Sequence, residues 1–208
     1  MQLAILGTGN IGGNLGQVLA AKGHQIYYGA RNPASPKTRA ALATSGAEAK
    51  AVSIAEAVAA CPVVFVAVQW EAVPEVLAQA GDLNGKIVVD CTNNVRRQGG
   101  ESIASVERFK VMASTARIVK AFNAIAAETI LKPHFGKLAA SLFFCGADEA
   151  ARTTVKRLGE EIGFQMVDLG GLENIGLLEQ LMAVWSTLAY GQQMGRRLAW
   201  HILTQNED

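Results

Sequence analysis

The sequence is sparing with charge, aromatic rings and cysteine. Only 18% of its 208 residues are charged and the formal net charge is +1. A nucleic-acid or membrane surface needs a concentrated positive field, so neither is expected. No apolar run approaches the roughly 18 residues that suggest a membrane span. The N-terminal run LAIL is cut off by glycine, with no basic flank or cleavage site, so it reads as a strand and not a signal peptide. The three cysteines, Cys61, Cys91 and Cys145, lie far apart without CxxC spacing, which favours buried reduced thiols over disulfides or metal. Together these absences predict a cytoplasmic chain. Conventional catalytic sets are missing too. His24 lies in a helix-to-strand turn, His134 follows a proline in a loop and His201 sits in the last helix. No two of them make a metal-ligand pair, and no Ser-His-Asp set can be drawn.

What is present is apolar material and an alternating pattern. Half of the residues are hydrophobic, enough for a sizeable core in one domain with a modest extension. The runs QLAIL, QIYYG, PVVFVAV (62–68), KIVVDCT (86–92), ARIVKAF (116–122), SLFFCG (141–146) and FQMVDLG (164–170) read as strands, with AEAKAV a weaker one. Between them, residues 10–22, KTRAALATSG, SIAEAVAAC, EAVPEVLAQAG and residues 148–163 carry helical spacing. Ser53 and Glu56 form a capping box. The segment NNVRRQGGESIASVERF reads as loop and helix. A long helical stretch is expected from about Leu177 to Leu203, with Leu177, Leu178, Leu181, Met182, Val184, Trp185 and Leu188 as an apolar stripe for core or dimer interface. Repeated βα units predict an α/β, Rossmann-type, doubly wound and mostly parallel sheet. The expected division is a nucleotide-binding domain over 1–135 and a C-terminal strand and helix portion over 136–208 that completes the sheet and the acceptor cleft.

Gly7-Thr8-Gly9-Asn10-Ile11-Gly12 matches G-x-G-x-x-G between the first strand and the first helix, the context in which that pattern binds a dinucleotide. Gly7 permits the tight turn, Gly9 lets the backbone approach a pyrophosphate and Gly12 lets helix and strand pack closely. The helix N-terminus then offers free N–H groups to the phosphates. An NAD-binding strand would place an acid about 20 residues later to hold the ribose 2′-hydroxyl. Here the strand ends Tyr28-Gly29-Ala30-Arg31-Asn32. The forked guanidinium of Arg31 suits a 2′-phosphate, with Lys37 and Arg39 able to add charge, so NADP(H) is the expected cofactor. The carboxyl ends of later strands should line the same crevice and add Val68, Gln69, Trp70, Asn93, Asn123 and Ala124 as candidates; Asn94 lies beside them. Trp70 is as readily ordinary packing, and the asparagines are as readily helix caps. Lys120 falls within a strand, odd unless it faces solvent or a partner. Hydride transfer between two ring cofactors needs no protein acid or base, so no catalytic residue is assigned.

GTGNIGGNLG, GARNP, VAVQWEAV, KIVVDCTN, VKAFNAI, FFCGADEAA and VDLGGLENIGLLEQL occur in order. Together they resemble the NADP oxidoreductase family dependent on coenzyme F-420, a 5-deazaflavin, over nearly the whole chain. VKAFN and FFCGADEAA also resemble the cytosolic reductase domain of the six-transmembrane metalloreductases, which pass hydride from NADPH to a flavin. The resemblance implies NADP along Thr8, Asn10, Ile11, Ala30, Arg31 and Val68, with a deazaflavin or flavin (F-420, FMN or FAD) against the nicotinamide. Two departures stand out. Ala30 replaces the hydroxyl residue that often precedes the arginine, and AFNAIAAETI lacks the histidine and proline of the archaeal enzymes. Without a membrane portion or an intramembrane histidine pair, a complete metalloreductase is not expected. Reduction of a small carbonyl or imine, or a non-catalytic NADP-responsive module, are the alternatives. A homodimer through the C-terminal helix is expected.

Overall fold

The structure, a computed structural model, describes residues 1–93 and 114–205. Asn94 and most of the segment read as loop and helix lie outside the described residues. Eight strands form one sheet in the order β10-β9-β6-β5-β4-β1-β2-β3. They are β1 (Gln2–Leu6), β2 (Gln25–Gly29), β3 (Lys50–Val52), β4 (Val63–Val66), β5 (Ile87–Asp90), β6 (Arg117–Lys120), β9 (Ser141–Gly146) and β10 (Gln165–Asp168). The first six run parallel in the doubly wound order that reverses between β1 and β4. The Rossmann-type fold expected from the sequence is therefore the fold observed.

The chain alternates residues between two faces of this sheet, as the pleat requires. Leu3, Ile5, Phe65, Val89 and Val119 face one core layer, joined by Leu15 and Leu19 of α1 (Asn10–Ala21) and by Val155 and Leu158 of α6 (Glu149–Ile162). Ala4, Leu6, Val64, Val66 and Val88 face the other, against α3 (Ile54–Ala60) and α4 (Val73–Ala78). Each fully buried aliphatic side chain contributes about 1.5–3 kcal/mol, so both layers help to hold the sheet between its helices. The helix ends follow local chemistry. Ser53 and Glu56 close the expected capping box on α3. Asp148 accepts from the Ala151 N–H to start α6, and Gly163 ends it in the left-handed conformation. Pro36 sits in the first turn of α2 (Pro36–Thr44), where its missing N–H costs nothing.

Two features depart from the expected pattern. β9 pairs antiparallel to β6 through only Val119↔Gly146 and Lys120↔Cys145, and β10 then runs parallel to β9. The short helix α5 (Ala127–Leu131) leads into a two-stranded hairpin of β7 (His134–Phe135) and β8 (Leu138–Ala139) that precedes that reversal, so His134 lies in a short strand. The long final helix is also overturned. α7 covers Ile175–Ser186, runs on as a wide turn over Thr187–Gly191 and stops. Gln193 and Gly195 take positive φ angles of 57° and 80°, which a helix cannot accommodate. The tail beyond finds its partners in tertiary contacts. Ser141 N–H donates to the Trp200 carbonyl at 2.7 Å, and Ile202 N–H donates to Ser141 Oγ at 2.8 Å. His201 lies in this tail, its Nδ1 2.7 Å from the Ala139 carbonyl. No helix among the described residues is long and apolar enough to cross a membrane.

Candidate functional site

A crevice of about 950 Å³ opens at the carboxyl ends of β1 and β4, where the strand order reverses. Gly7, Thr8, Gly9, Asn10 and Ile11 form one wall, and Ala67, Val68 and Gln69 another. Gly7 has φ +110° with the Ala67 carbonyl behind it, a conformation and a space that exclude a side chain. Gly12 lies behind the loop, not in the lining, and a Cβ there would strike the Gly7 carbonyl. It therefore sets the approach of helix to loop. Gly9 has open space in front of it. It also occupies the N-cap of α1 with no side-chain cap, and the first helical turn carries no acid. The orphan N–H groups and the positive end of the helix dipole are thus left for an anion from outside.

Ala30, Arg31, Asn32 and Lys37 line the opposite rim, and Arg39 is exposed but not in the lining. Arg31 is 65% exposed by side chain and pairs with Glu75 of α4, its Nη1 lying 3.1 Å from Oε2. Beneath the rim runs a chain of hydroxyls. Thr38 Oγ1 lies 2.9 Å from Ser35 Oγ and 3.5 Å from Thr8 Oγ1, tying α2 to the glycine loop. Sequence reasoning missed Ser35 and Thr38, and also Asn14 and Gln17, which line the crevice from α1. Helical spacing from Asn10 to Asn14 and Gln17 was the available signal, a polar stripe opposite buried Leu15 and Leu19.

The other candidates lie elsewhere. Trp70 is 8% exposed in the apolar cluster with Val73 and Val76, outside the crevice lining. Asn93 and Asn123 follow β5 and β6 along the same sheet edge and are not in the lining either. They lock to each other: Asn93 Nδ2 donates to the Asn123 carbonyl at 2.8 Å, and Asn123 Nδ2 donates to Asn93 Oδ1 at 3.1 Å. Asn123 Nδ2 also reaches the Leu178 carbonyl of α7 at 3.1 Å, while its buried Oδ1 has no hydrogen-bond partner among the described residues. Ala124 is buried next to it. The turn that delivers Asn123 is held by Phe122, which takes φ 61° with its ring edge-on to Phe65 and Phe164. A bulky residue in that region costs on the order of 1–3 kcal/mol, so ring packing over-determines the turn.

Lys120 ends β6 and is fully buried. Its Nζ lies 3.0 Å from Asp90 Oδ2, 2.8 Å from Glu179 Oε1 of α7 and 2.6 Å from the Thr92 carbonyl. Burial opposes the ammonium charge, but the two carboxylates outweigh it and hold the lysine pKa above its ordinary value. The cysteines behave in the opposite way. Burial pushes the Cys61 thiol up to about 11 and Cys145 up to about 12, and raises Cys91 well above the usual range. With all three buried and free, the native protein at pH 8 should release almost no chromophore from a thiol-disulfide reagent, against three equivalents after denaturation. Rapid reaction of even one thiol in the native state would contradict this packing.

Among the described residues no group of three or more His, Cys, Asp or Glu is arranged to hold a metal ion. The strand order, the reversal point and the glycine loop define a Rossmann-type dinucleotide-binding fold. Residues 2–94 match the family described as NADP oxidoreductase, coenzyme F420-dependent, so the resemblance drawn from the motifs stands. A structure from Arthrobacter sp. described as an F420-dependent NADP-reductase shares 27% identity at a TM-score of 0.84, covering 98% of this chain and 100% of its own. The rat metalloreductase STEAP3 is 30% identical over 182 residues, 86% of this chain and 36% of the relative. The chain thus spans about a third of the length of the curated metalloreductases it matches. An imine reductase from Aspergillus terreus, solved with NADPH4, shares the fold at a TM-score of 0.71 and 20% identity, over 92% of this chain and 62% of its own.

Proposed function

We propose that this chain exchanges hydride between NADP(H), held along the glycine loop, and a deazaflavin or flavin ring such as coenzyme F-420, FMN or FAD. The supporting observation is the uncapped, acid-free start of α1, which opens into the same crevice as Arg31. The chain's residues suit the group. The space before Gly9 admits a pyrophosphate to the backbone, and Arg31 and Lys37 offer charge to a 2′-phosphate. Ser35 and Thr38 supply hydroxyls near the rim that Ala30 lacks. The nicotinamide supplies the hydride-carrying carbon when bound; the chain contributes binding, orientation and exclusion of water.

On this reading residues 1–135 hold the nucleotide and 136–208 complete the acceptor side. The exposed Leu177 and Val184 of α7 favour a homodimer. Mixing the protein with NADPH and oxidised F-420, FMN or FAD, and following NADPH consumption, tests the activity; no turnover with any acceptor would sink it. Arg31→Ala should weaken NADPH binding by about 1.5–3 kcal/mol, the range for a hydrogen bond to a charged group, and leave NADH nearly unchanged. Equal losses for both cofactors would remove Arg31 from the phosphate contact.

A further inference from the structure

We infer that Glu75 sets how strongly the site prefers NADP(H), by holding Arg31 at the rim while keeping a negative charge close to the 2′-phosphate. The inference rests on the reading of Arg31 as the phosphate contact. Arg31 Nη1 donates to both Glu75 oxygens, at 3.2 and 3.1 Å. Gln79 Nε2, one turn further along, steadies Oε1 at 3.4 Å. Glu75 itself lies outside the crevice lining, whereas Arg31 lies within it. The carboxylate therefore approaches the guanidinium from behind the rim and leaves the crevice side open.

Both side chains are more than half exposed, so the pair adds little to folding. Its consequence falls on the ligand. A phosphate arriving at Arg31 meets a guanidinium already paired with a carboxylate, and so a negative charge held close to its own. Arg31 spends only Nη1 on Glu75, so Nε and Nη2 remain for a phosphate and the arginine need not leave its partner. NADH brings no 2′-phosphate and is indifferent to this charge. Glu75 thus lowers NADPH affinity selectively while keeping Arg31 in place. An enzyme that must release NADP as well as bind it gains from that moderation.

The test measures dissociation constants of NADPH and NADH for the wild-type chain and for Glu75→Gln, in dilute buffer and at about 0.5 M salt, where charge effects are screened. Glutamine keeps the hydrogen bond to Arg31 and removes the charge. We expect Glu75→Gln to bind NADPH about three- to tenfold more tightly in dilute buffer, NADH within twofold of wild type, and the gain to shrink in salt. Preference for NADPH in the wild type with no gain, or a loss, in the variant overturns the role of Glu75 and leaves Arg31 standing. A wild type that binds both cofactors equally overturns the Arg31 reading and this inference with it.

Discussion

Lys120→Met should lower the unfolding free energy by about 3–5 kcal/mol, the usual cost of stripping one partner from a buried ion pair. The ammonium is fully buried between Asp90 and Glu179, and methionine fills a similar volume without charge, so the loss is electrostatic and not a cavity. In the wild type the two carboxylates hold the Lys120 pKa above its ordinary value. A group shifted upward stabilises the fold fully below its unfolded pKa, and that contribution is lost as pH rises through the folded value. The wild type should therefore lose more stability than the variant when pH is raised from 8 to strongly alkaline values. Denaturant titrations of both proteins across that range measure this. A loss under about 1 kcal/mol at pH 8, or equal alkaline weakening of both proteins, would show that the cluster does not carry its charges as described.

Gly12→Ala is the second large effect. The added methyl would be forced onto the Gly7 carbonyl, a backbone atom in a loop already committed to φ +110°. Neither side can yield unless α1 lifts from β1, so a stability loss of about 3 kcal/mol is expected, at the upper end for overpacking. NADPH binding should fall with it, because the loop that presents Gly9 is displaced. Gly9→Ala is the informative contrast. Gly9 has ordinary φ, −75°, and its Cβ would meet nothing within 4 Å. That variant should fold with near wild-type stability and yet bind NADPH at least about tenfold less well, since only a ligand occupies the space. Measured together by calorimetric melting and fluorescence titration, the two separate the glycine that builds the site from the glycine that receives the phosphate. Tight NADPH binding by Gly9→Ala would place the pyrophosphate elsewhere.

The legible parts of the fold were those decided by local patterns. PVVFVAV and KIVVDCT are apolar on both faces because β4 and β5 are covered on both sides. Ser53 with Glu56, and Asp148 with Gly163, mark helix ends through hydrogen bonds that reach only a few residues. The glycine loop was legible for the same reason. Less legible were features made by partners distant in sequence. Lys120 looked odd in its strand because Glu179, which answers its charge, belongs to a helix that the chain reaches much later. The pairing of Arg31 with Glu75 joins the ends of two separate βα units. The final helix was overextended because residues 187–203 carry apolar spacing, while hydrogen bonds to Ser141 draw their backbone out of the helix. The direction of β9 depends on how the hairpin before it turns, which side-chain periodicity does not encode.

The two-pair meeting of β6 and β9 bears on how the molecule comes apart. Parallel neighbours in the nucleotide-binding half share three to five registered pairs, so their amides open together. At the β6–β9 junction the ladder is too short to transmit that cooperativity. Coupling passes instead through side chains: α6 lying on α1 and β6, and the Lys120 ammonium reaching from one registered pair to α7. In hydrogen-exchange terms the chain holds two candidate opening units, joined less by backbone than by one buried positive charge.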